Sequence, residues 1–539
     1  MAAELLTKHD SSVESYLEHC LSLGRQFPEP ASVKLILSSQ PVKGGQGIGV
    51  LDVVVTTAKQ CYTSGVALLK PQRDERSTAI AAGTLEAGHH TPRQHVHYTW
   101  RFEGISRSVT HDVFHAHPYY NSEQQSQRYV EAVEGSYVTP SRLTERQALL
   151  FKDAADYANQ SYFRLLSAMG PEVDRRMHQM YPTSGWSVPK TAERLGGKAR
   201  KIRREVARYV LPIAQKTTYY HTLSELQLLR LFRASQMENF SDEARYIIGA
   251  MVASIAAQDP TILQELQKPL PAFTLSKSAY IKEGKDKFDA FLNGSDSVML
   301  PLSSEVRQNL AIAVCNVLGE PRLSTEEALA RLLDPGINLL IADVYDVGML
   351  DPLTSALRQA SPTFLTKLSH TADSQRQRHR MTAGATPTIE RSFDGSANYI
   401  TPMIIRESEE LRGLYDEMMQ NVYGNVNRCL EAGMLADKAL TLLPNAHALR
   451  VVESGDLFDW LHRWKLRLCY LSQEEIFFIS VEQARQMLAV LPEAEKTFRS
   501  PCGIRKVAGV SPRCPEGDRF CGKPVFNMAL EQYSGGRLI

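Results

Sequence analysis

The sequence predicts an α+β protein made of two tandem units and a cysteine-containing tail. Amphipathic helical stretches are interspersed with short strand-like runs in both halves of the 539-residue chain. A proline-broken boundary at Lys268-Pro269-Leu270-Pro271 separates the halves. The halves also repeat several short phrases in the same order, which indicates an internal duplication. The predicted units are residues 1–268 and 269–495, and the predicted tail is 496–539.

Composition and charge are those of an ordinary globular protein, with 43% apolar and 22% charged residues. The 61 basic and 60 acidic side chains leave a net charge of +1. Such a balance gives no overall attraction to nucleic acid or to an anionic membrane, and we expect neither as a partner. No run approaches the roughly 20 apolar residues of a membrane span. Because the N-terminus is acidic and most cysteines are scattered singly, we expect a cytosolic protein with reduced thiols.

The first unit opens with a predicted helix and two predicted strands. Apolar residues in 1–28 recur roughly at helical spacing. Val33–Leu37 and Gly49–Val55 are apolar, β-rich runs, which predict two strands joined by a turn in the glycine-rich segment Gly44–Gly47. In His97–Phe102, aromatic and polar residues alternate, as in a half-buried strand.

The remaining predicted elements are mostly helices. Three helical stretches are expected at Leu143–Met169, Glu193–Ala214 and Thr222–Ala257. The second of these carries a basic run that fits either a solvated helix face or a phosphate contact. Val298–Leu302 is strand-like and opens the second unit.

Each unit contains a Leu-Pro pair followed by a glutamate, and the spacing between them is the same in both units. Each unit also contains an earlier three-residue phrase that is preceded by a serine. In the first unit they are Leu211-Pro212, Glu243, His115-Ala116-His117 and Ser106. In the second they are Leu443-Pro444, Glu475, Arg378-His379-Arg380 and Ser374.

Four segments together resemble the signature of the flavin-dependent thymidylate synthases: Gly88–His95 (GHHTPRQH), Glu123–Tyr129 (EQQSQRY), Arg378-His379-Arg380 and Trp464–Ile476 (WKLRLCYLSQEEI). Each unit keeps only part of the motif set. The resemblance implies that each unit folds as a small, mostly antiparallel sheet with long helices. It also implies sites that lie between subunits of a homotetramer.

The function implied by this resemblance is flavin-dependent alkylation or reduction of a pyrimidine nucleotide, with methylation of deoxyuridylate as the default. The implied cofactors are FAD, with NADPH and methylenetetrahydrofolate. Since two units share one chain, we expect a homodimer that forms a pseudo-tetramer. Two other interpretations stay open: a non-catalytic nucleotide-binding or scaffold protein that has lost flavin, and a different flavin- or metal-assisted reaction on a related nucleotide.

The resemblance implies a composite pocket to which each unit contributes what the other lacks. Guanidinium groups bind phosphate bidentately, and amide or hydroxyl groups suit the edge of a uracil ring. The residues implied for substrate binding are Gln375, Arg467, Ser126, Arg128 and Arg208, and those implied to polarise the pyrimidine are Arg378 and Arg380. The residues implied for the flavin are His89, Thr91, Gln94 and His379. At three further flavin positions of the family this chain has Asp456, Phe458 and Leu471.

Several of these segments also have simpler explanations. The basic run at 375–380 fits a solvated helix as well as a nucleotide site. The histidines at 89, 90, 95 and 97 are candidates for metal ligands or for ordinary hydrogen bonds. In the tail, Cys502, Cys514 and Cys521 lie near glycine and proline turns, which suits zinc or an iron-sulfur cluster; the alternative is a docked tail with free thiols.

Overall fold

A computed structural model describes residues 11–39, 48–71, 74–181, 189–271 and 281–539. Its strands form two four-stranded antiparallel sheets, one in each half of the chain. Two small antiparallel sheets among many helices confirm the predicted α+β class. Within those ranges, no helix has the length and apolar character needed to cross a membrane.

The first sheet has the strand order β1-β2-β4-β3. Its strands are β1 (Ser32–Ser38), β2 (His97–Ser106), β3 (Asn121–Gln124) and β4 (Lys216–Ser224). The helices of seven or more residues in this half are α1 (Ser11–Gly24), α2 (Val50–Gln60), α3 (Glu75–Glu86), α4 (Glu145–Ala168), α5 (Gly170–Met180), α6 (Pro189–Ala207), α7 (Glu225–Ala234) and α8 (Asp242–Ala256).

The second sheet repeats this order as β5-β6-β8-β7. Its strands are β5 (Ser297–Met299), β6 (Thr363–Ser369), β7 (Ala383–Ala385) and β8 (Ala448–Ser454). The corresponding helices are α9 (Ile281–Leu292), α10 (Val306–Leu318), α11 (Thr325–Leu333), α12 (His370–Arg376), α13 (Glu409–Glu431), α14 (Leu457–Arg467), α15 (Glu474–Val490) and α16 (Pro501–Val507).

The strand predicted at Gly49–Val55 is wrong, because this segment begins helix α2. The apolar residues Val50, Leu51, Val54, Val55 and Ala58 are all buried, and their spacing fits one helical face. The Asp52 carboxylate accepts a hydrogen bond from the Gly49 N–H at 2.7 Å and so caps the first turn. The glycine turn predicted at Gly44–Gly47 lies outside the described residues.

The helix predicted at Thr222–Ala257 is also wrong at its start, since Thr222 belongs to strand β4. Ser224 then caps α7 and Ser241 caps α8, each by accepting a backbone N–H. The strands predicted at Val33–Leu37 and His97–Phe102 are confirmed by β1 and β2, and the predicted strand at Val298–Leu302 overlaps β5.

Of the two hydrophobic cores among the described residues, the larger is shared by both units. A smaller core lies in the first unit around Tyr98, Trp100 and Phe102. The larger core joins helix α4 of the first unit to helix α13 and the sheet of the second. Because the larger core spans the junction, burial of apolar surface itself holds the two units together.

The two Leu-Pro pairs meet where the units join. Pro212 and Pro444 form an isolated antiparallel bridge. The Ile213 N–H donates to the Leu443 carbonyl at 2.9 Å, and the Asn445 N–H donates to the Leu211 carbonyl at 2.8 Å. The two Leu-Pro pairs therefore lie opposite each other at the junction, as expected for equivalent segments of two repeated units.

Candidate functional site

Equivalent turns follow the central strands β2 and β6. The Ser106 N–H donates to Glu243 at 2.7 Å, and the Ser369 N–H donates to Glu475 at 2.6 Å. Ser106 is therefore the counterpart of Ser369, which corrects the earlier pairing with Ser374. Counted from these serines, His115-Ala116-His117 takes the same position as Arg378-His379-Arg380.

A cleft between the units holds the arginine of the EQQSQRY segment. The Arg128 guanidinium donates to the Leu471 carbonyl of the second unit at 2.6 Å and pairs with Glu205. Lys201 also donates to the Leu471 carbonyl, at 3.3 Å. Burial disfavours ionisation of Glu205, but Arg128, Lys201 and Arg208 outweigh it and lower the pKa of that carboxyl. Ser126 closes the turn by accepting the Arg128 N–H at 3.2 Å.

A chain of hydrogen bonds crosses the cleft from Gln375. The Gln375 amide donates to Gln473 Oε1 at 3.1 Å. Gln473 in turn donates to the Tyr209 hydroxyl, which donates to Glu475. This chain joins the helix that carries Gln375 to the first unit.

Arg467 lies on the second-unit side of the same cleft. Its Nε donates to His379 Nε2 at 2.8 Å, and its Nη2 approaches the Gln375 carbonyl at 3.4 Å. Burial, followed by repulsion from Arg463, Arg128 and other arginines, lowers the pKa of Arg467 to about 9. Burial likewise lowers the pKa of His379, which suits its role as acceptor.

Among the described residues, several buried donors beside this cleft have no protein acceptor. Arg208 is buried and uses its Nε for the Glu205 carbonyl at 3.2 Å. Within the described residues, Arg208 Nη2, Gln127 Nε2 and Arg537 Nη1 have no hydrogen-bond partner. Since buried donors are nearly always satisfied, such a group indicates a missing acceptor.

Arg378 and Arg380 contact the first unit. The Arg378 Nη1 donates to Ser122 Oγ at 2.9 Å, and its Nη2 donates to the Ser122 carbonyl at 2.5 Å. Arg380 is exposed, donates to Asn121 Oδ1 at 3.0 Å and lies 5.1 Å from the centre of the Tyr120 ring.

Among the described residues, no hydrogen bond joins His379 to the other three residues implied for the flavin. His89, Thr91 and Gln94 are exposed and precede the start of β2, whereas His379 follows α12, is buried and accepts a hydrogen bond from Arg467.

The residues at the three further flavin positions of the family, Asp456, Phe458 and Leu471, make contacts within the protein. Asp456 caps α14 and pairs with Arg358, and Phe458 lies 4.9 Å beneath the same guanidinium. The backbone carbonyl of Leu471 accepts from Arg128 and Lys201. In the described part of the chain, the side chains of Asp456 and Phe458 are therefore engaged in contacts within the second unit.

The tail supplies a site residue that sequence reasoning missed. Arg537 donates to the Ser472 carbonyl at 2.7 Å. Together with Arg128, Lys201 and Glu205 it lines a cavity of about 50 Å³. Nothing in the local sequence around Arg537 indicates this, because the contact depends on how the tail packs.

The tail thiols are held by other contacts. Cys502 lies 3.2 Å from Ser500 Oγ, and Cys521 Sγ lies 3.7 Å from the Lys523 carbonyl. Burial raises the pKa of both thiols. In the described part of the chain, three potential ligands close enough to share a metal occur at His111, Asp112 and His370, and not at Cys502, Cys514 and Cys521.

Comparisons with known proteins place both halves of the chain in one family. The sequence model of the family described as "Thymidylate synthase complementing protein" matches residues 49–261 and 325–493. The flavin-dependent thymidylate synthase of Clostridium tetani is 28% identical over 216 residues, which are 39% of this chain and 80% of that protein. The Geobacter sulfurreducens enzyme of the same name is 27% identical over 217 residues, covering 40% of this chain and 88% of its own. Among solved structures, the UMP/dUMP methylase PolB from Streptomyces cacaoi, bound with 5-Br dUMP, has a TM-score of 0.30 and 19% identity. That match covers 45% of this chain and 97% of the PolB chain.

Proposed function

Because this chain belongs to the thymidylate synthase complementing protein family, the flavin-dependent thymidylate synthases, we propose that it binds a pyrimidine nucleotide between its two units and methylates it. The default substrate is dUMP, which two relatives' names and the family imply. The single observation that carries the proposal is the set of buried, unpartnered donors in the arginine-lined cleft.

The phosphate group is assigned to the cations on the two walls of the cleft. A nucleoside monophosphate carries up to two negative charges, and planar guanidinium groups bind phosphate more specifically than ammonium groups do. Arg128 and Arg208 would bind it from the first unit and Arg467 from the second. Burial and then the neighbouring arginines lower the pKa of Arg467, as expected for a buried cation that lacks a counter-anion.

The base is assigned to Gln375 and its neighbours. Within the described residues, Gln375 Oε1 is buried without a partner, while the amide nitrogen is held by Gln473. A fixed amide oxygen can accept the N–H of a uracil ring. Ser126 would contribute a hydroxyl, and Arg378 and Arg380 would polarise the pyrimidine.

We further propose one nucleotide site per chain. A duplicated protein has two equivalent clefts. The cleft related to the arginine-lined one by the duplication lacks two of its arginines. At the positions equivalent to Arg208 and Arg467, the other cleft has Leu440 and Ser235. The loss of both guanidinium groups removes most of the attraction for phosphate there.

Flavin binding is proposed to require a second copy of the chain. The family implies a flavin cofactor, and His89, Thr91 and Gln94 are exposed in the first unit, whereas His379 is buried in the second. A homodimer would place four units together, so that residues of one chain could complete a pocket begun by the other. NADPH and methylenetetrahydrofolate remain proposed co-substrates by analogy with the family.

A second candidate is a nucleotide-binding protein without catalysis. It is favoured by one observation: Asp456 and Phe458 use their side chains for capping and for packing on Arg358. Such a protein would bind dUMP through the same arginines and would bind no flavin.

Calorimetry and absorption spectroscopy on the full chain separate these candidates. Binding of about one dUMP per chain, with inorganic phosphate as a weaker competitor, is expected for both. A flavin band near roughly 450 nm that bleaches with NADPH supports the enzyme. A colourless protein that binds dUMP but takes up no FAD supports the non-catalytic candidate, and failure to bind dUMP would overturn the proposed site.

A further inference from the structure

Within the described residues, the imidazole ring of His370 is buried at the junction of the two units without a hydrogen-bond partner. The His370 side chain is 1% exposed. Among the described residues, neither of its ring nitrogens meets a donor or an acceptor. A buried imidazole that leaves both nitrogens unsatisfied is costly, and so it indicates a missing ligand, such as a metal ion or water.

Two further ligand groups from the first unit lie beside it. The rings of His111 and His370 are 4.0 Å apart between centroids. His111 Nδ1 lies 2.7 Å from an Asp112 carboxylate oxygen. One donor atom from each of His111, Asp112 and His370 can be chosen so that all three lie within 4.8 Å of one another. Because metal-to-ligand distances are about 2.0 to 2.2 Å, the three atoms must move closer around the ion, and the metal must replace the hydrogen bond between His111 Nδ1 and Asp112.

A supporting carboxylate is also present. Asp373 is fully buried and lies 2.7 Å from His111 Nε2, and Arg376 donates to its other oxygen. Histidine ligands commonly donate their second ring N–H to such a carboxylate, which fixes the ring and strengthens the metal bond. If His111 binds through Nδ1, Asp373 is correctly placed for this role.

We propose that His111, Asp112 and His370 bind one divalent transition-metal ion, of which Zn²⁺ is the model, and that this ion joins the two units. Two imidazoles and one carboxylate are donors suited to zinc-like ions, whereas Mg²⁺ and Ca²⁺ take oxygen ligands. The site crosses the junction, because His111 and Asp112 follow β2 while His370 follows β6. It also lies at the start of α12, the helix that carries Gln375.

The test is zinc binding by the chelator-treated full chain. We expect one Zn²⁺ per chain, with a higher Tm when zinc is added, since an ion that binds only the folded state stabilises it. Co²⁺ in place of Zn²⁺ should give visible ligand-field absorption. His370→Gln should weaken zinc binding on the order of 100-fold and abolish the Tm increase. His178→Gln is the control, because His178 is exposed and lies on α5.

Asp112→Asn serves as a second variant, because the Asp112 side chain is 23% exposed and its replacement should be tolerated if His370→Gln does not fold. It too should lose zinc binding. Undiminished zinc binding in a folded His370→Gln or Asp112→Asn variant would overturn the proposal. Zinc that is instead lost in Cys514→Ser would show that the tail binds the ion, and that result would overturn it as well.

Discussion

Arg378 of the second unit donates two hydrogen bonds to Ser122 of the first, one to the hydroxyl at 2.9 Å and one to the carbonyl at 2.5 Å. The same hydroxyl lies 2.8 Å from His115 Nε2. His115 is the first-unit counterpart of Arg378, so one serine joins the two equivalent positions. The planar guanidinium makes this arrangement possible, since it presents two N–H groups side by side.

We therefore expect Arg378→Lys to weaken dUMP binding although it keeps the charge. An ammonium group cannot reproduce the paired hydrogen bonds, and the helix carrying Gln375 would lose part of its attachment to the first unit. The expected loss is about tenfold in Kd, measured by calorimetry. Arg146→Lys, at an exposed position, is the matched control. Unchanged affinity in Arg378→Lys would show that this contact does not position the site.

Arg128→Ala and Arg467→Ala should each weaken dUMP binding. The two arginines approach the cleft from different units, and each would lose a charge-assisted hydrogen bond worth about 2 kcal/mol, or roughly 30-fold in Kd. Titration of each variant with dUMP at constant ionic strength measures the loss. An effect confined to one of the two variants would mean that the units do not share a site.

Tyr209→Phe should destabilise the junction. The Tyr209 hydroxyl is buried between Gln473 and Glu475, and removing it leaves both without that partner. The expected cost is about 1 to 3 kcal/mol in the free energy of unfolding, measured by urea denaturation. Tyr62→Phe, at a site 84% exposed, should have no comparable effect. If both variants unfold at the same urea concentration as the unmodified protein, the hydrogen-bond chain contributes little.

Sequence patterns predict the class of the fold and the repeated units. They are less informative where contacts between distant segments determine the local structure or the position of a side chain. The segment from Val50 is rich in β-branched residues, and its helix depends on the Asp52 cap and on burial of one face. The Asp52 cap is visible in the sequence, but the apolar, β-branched run around it favours a strand. Arg537 and His370 gave no such signal, because their neighbours lie far away in the sequence.

The family resemblance assigned residues that are distant in the sequence to one site, which hydrophobic periodicity alone cannot do. It named Arg128, Gln375 and Arg467, and all three lie along the inter-unit cleft. It also named His89 and Thr91, which lie elsewhere in the chain. Motifs of a family record contacts between subunits as well as within one, so the sequence of a single chain does not distinguish the two.

Glu243→Gln should change how stability depends on pH. Burial raises the pKa of Glu243 to about 7 from an ordinary value of 4.5. Between these values the folded chain holds a proton that the unfolded chain has lost, so the free energy of unfolding falls as pH rises from about 4.5 to 7. This group alone contributes a slope of up to about 1.4 kcal/mol per pH unit, and the slope ends once both states are ionised above pH 7.

A glutamine at this position stays neutral and can still accept the Ser106 N–H through its oxygen. The stability of Glu243→Gln relative to the unmodified protein should therefore rise by about 2 to 3 kcal/mol between pH 5 and pH 7. Urea denaturation at pH 5, 6, 7 and 8 measures this difference, with exposed Glu86→Gln as the control. Parallel stability curves for Glu243→Gln and the unmodified protein would show that Glu243 is already ionised in the folded chain at pH 5.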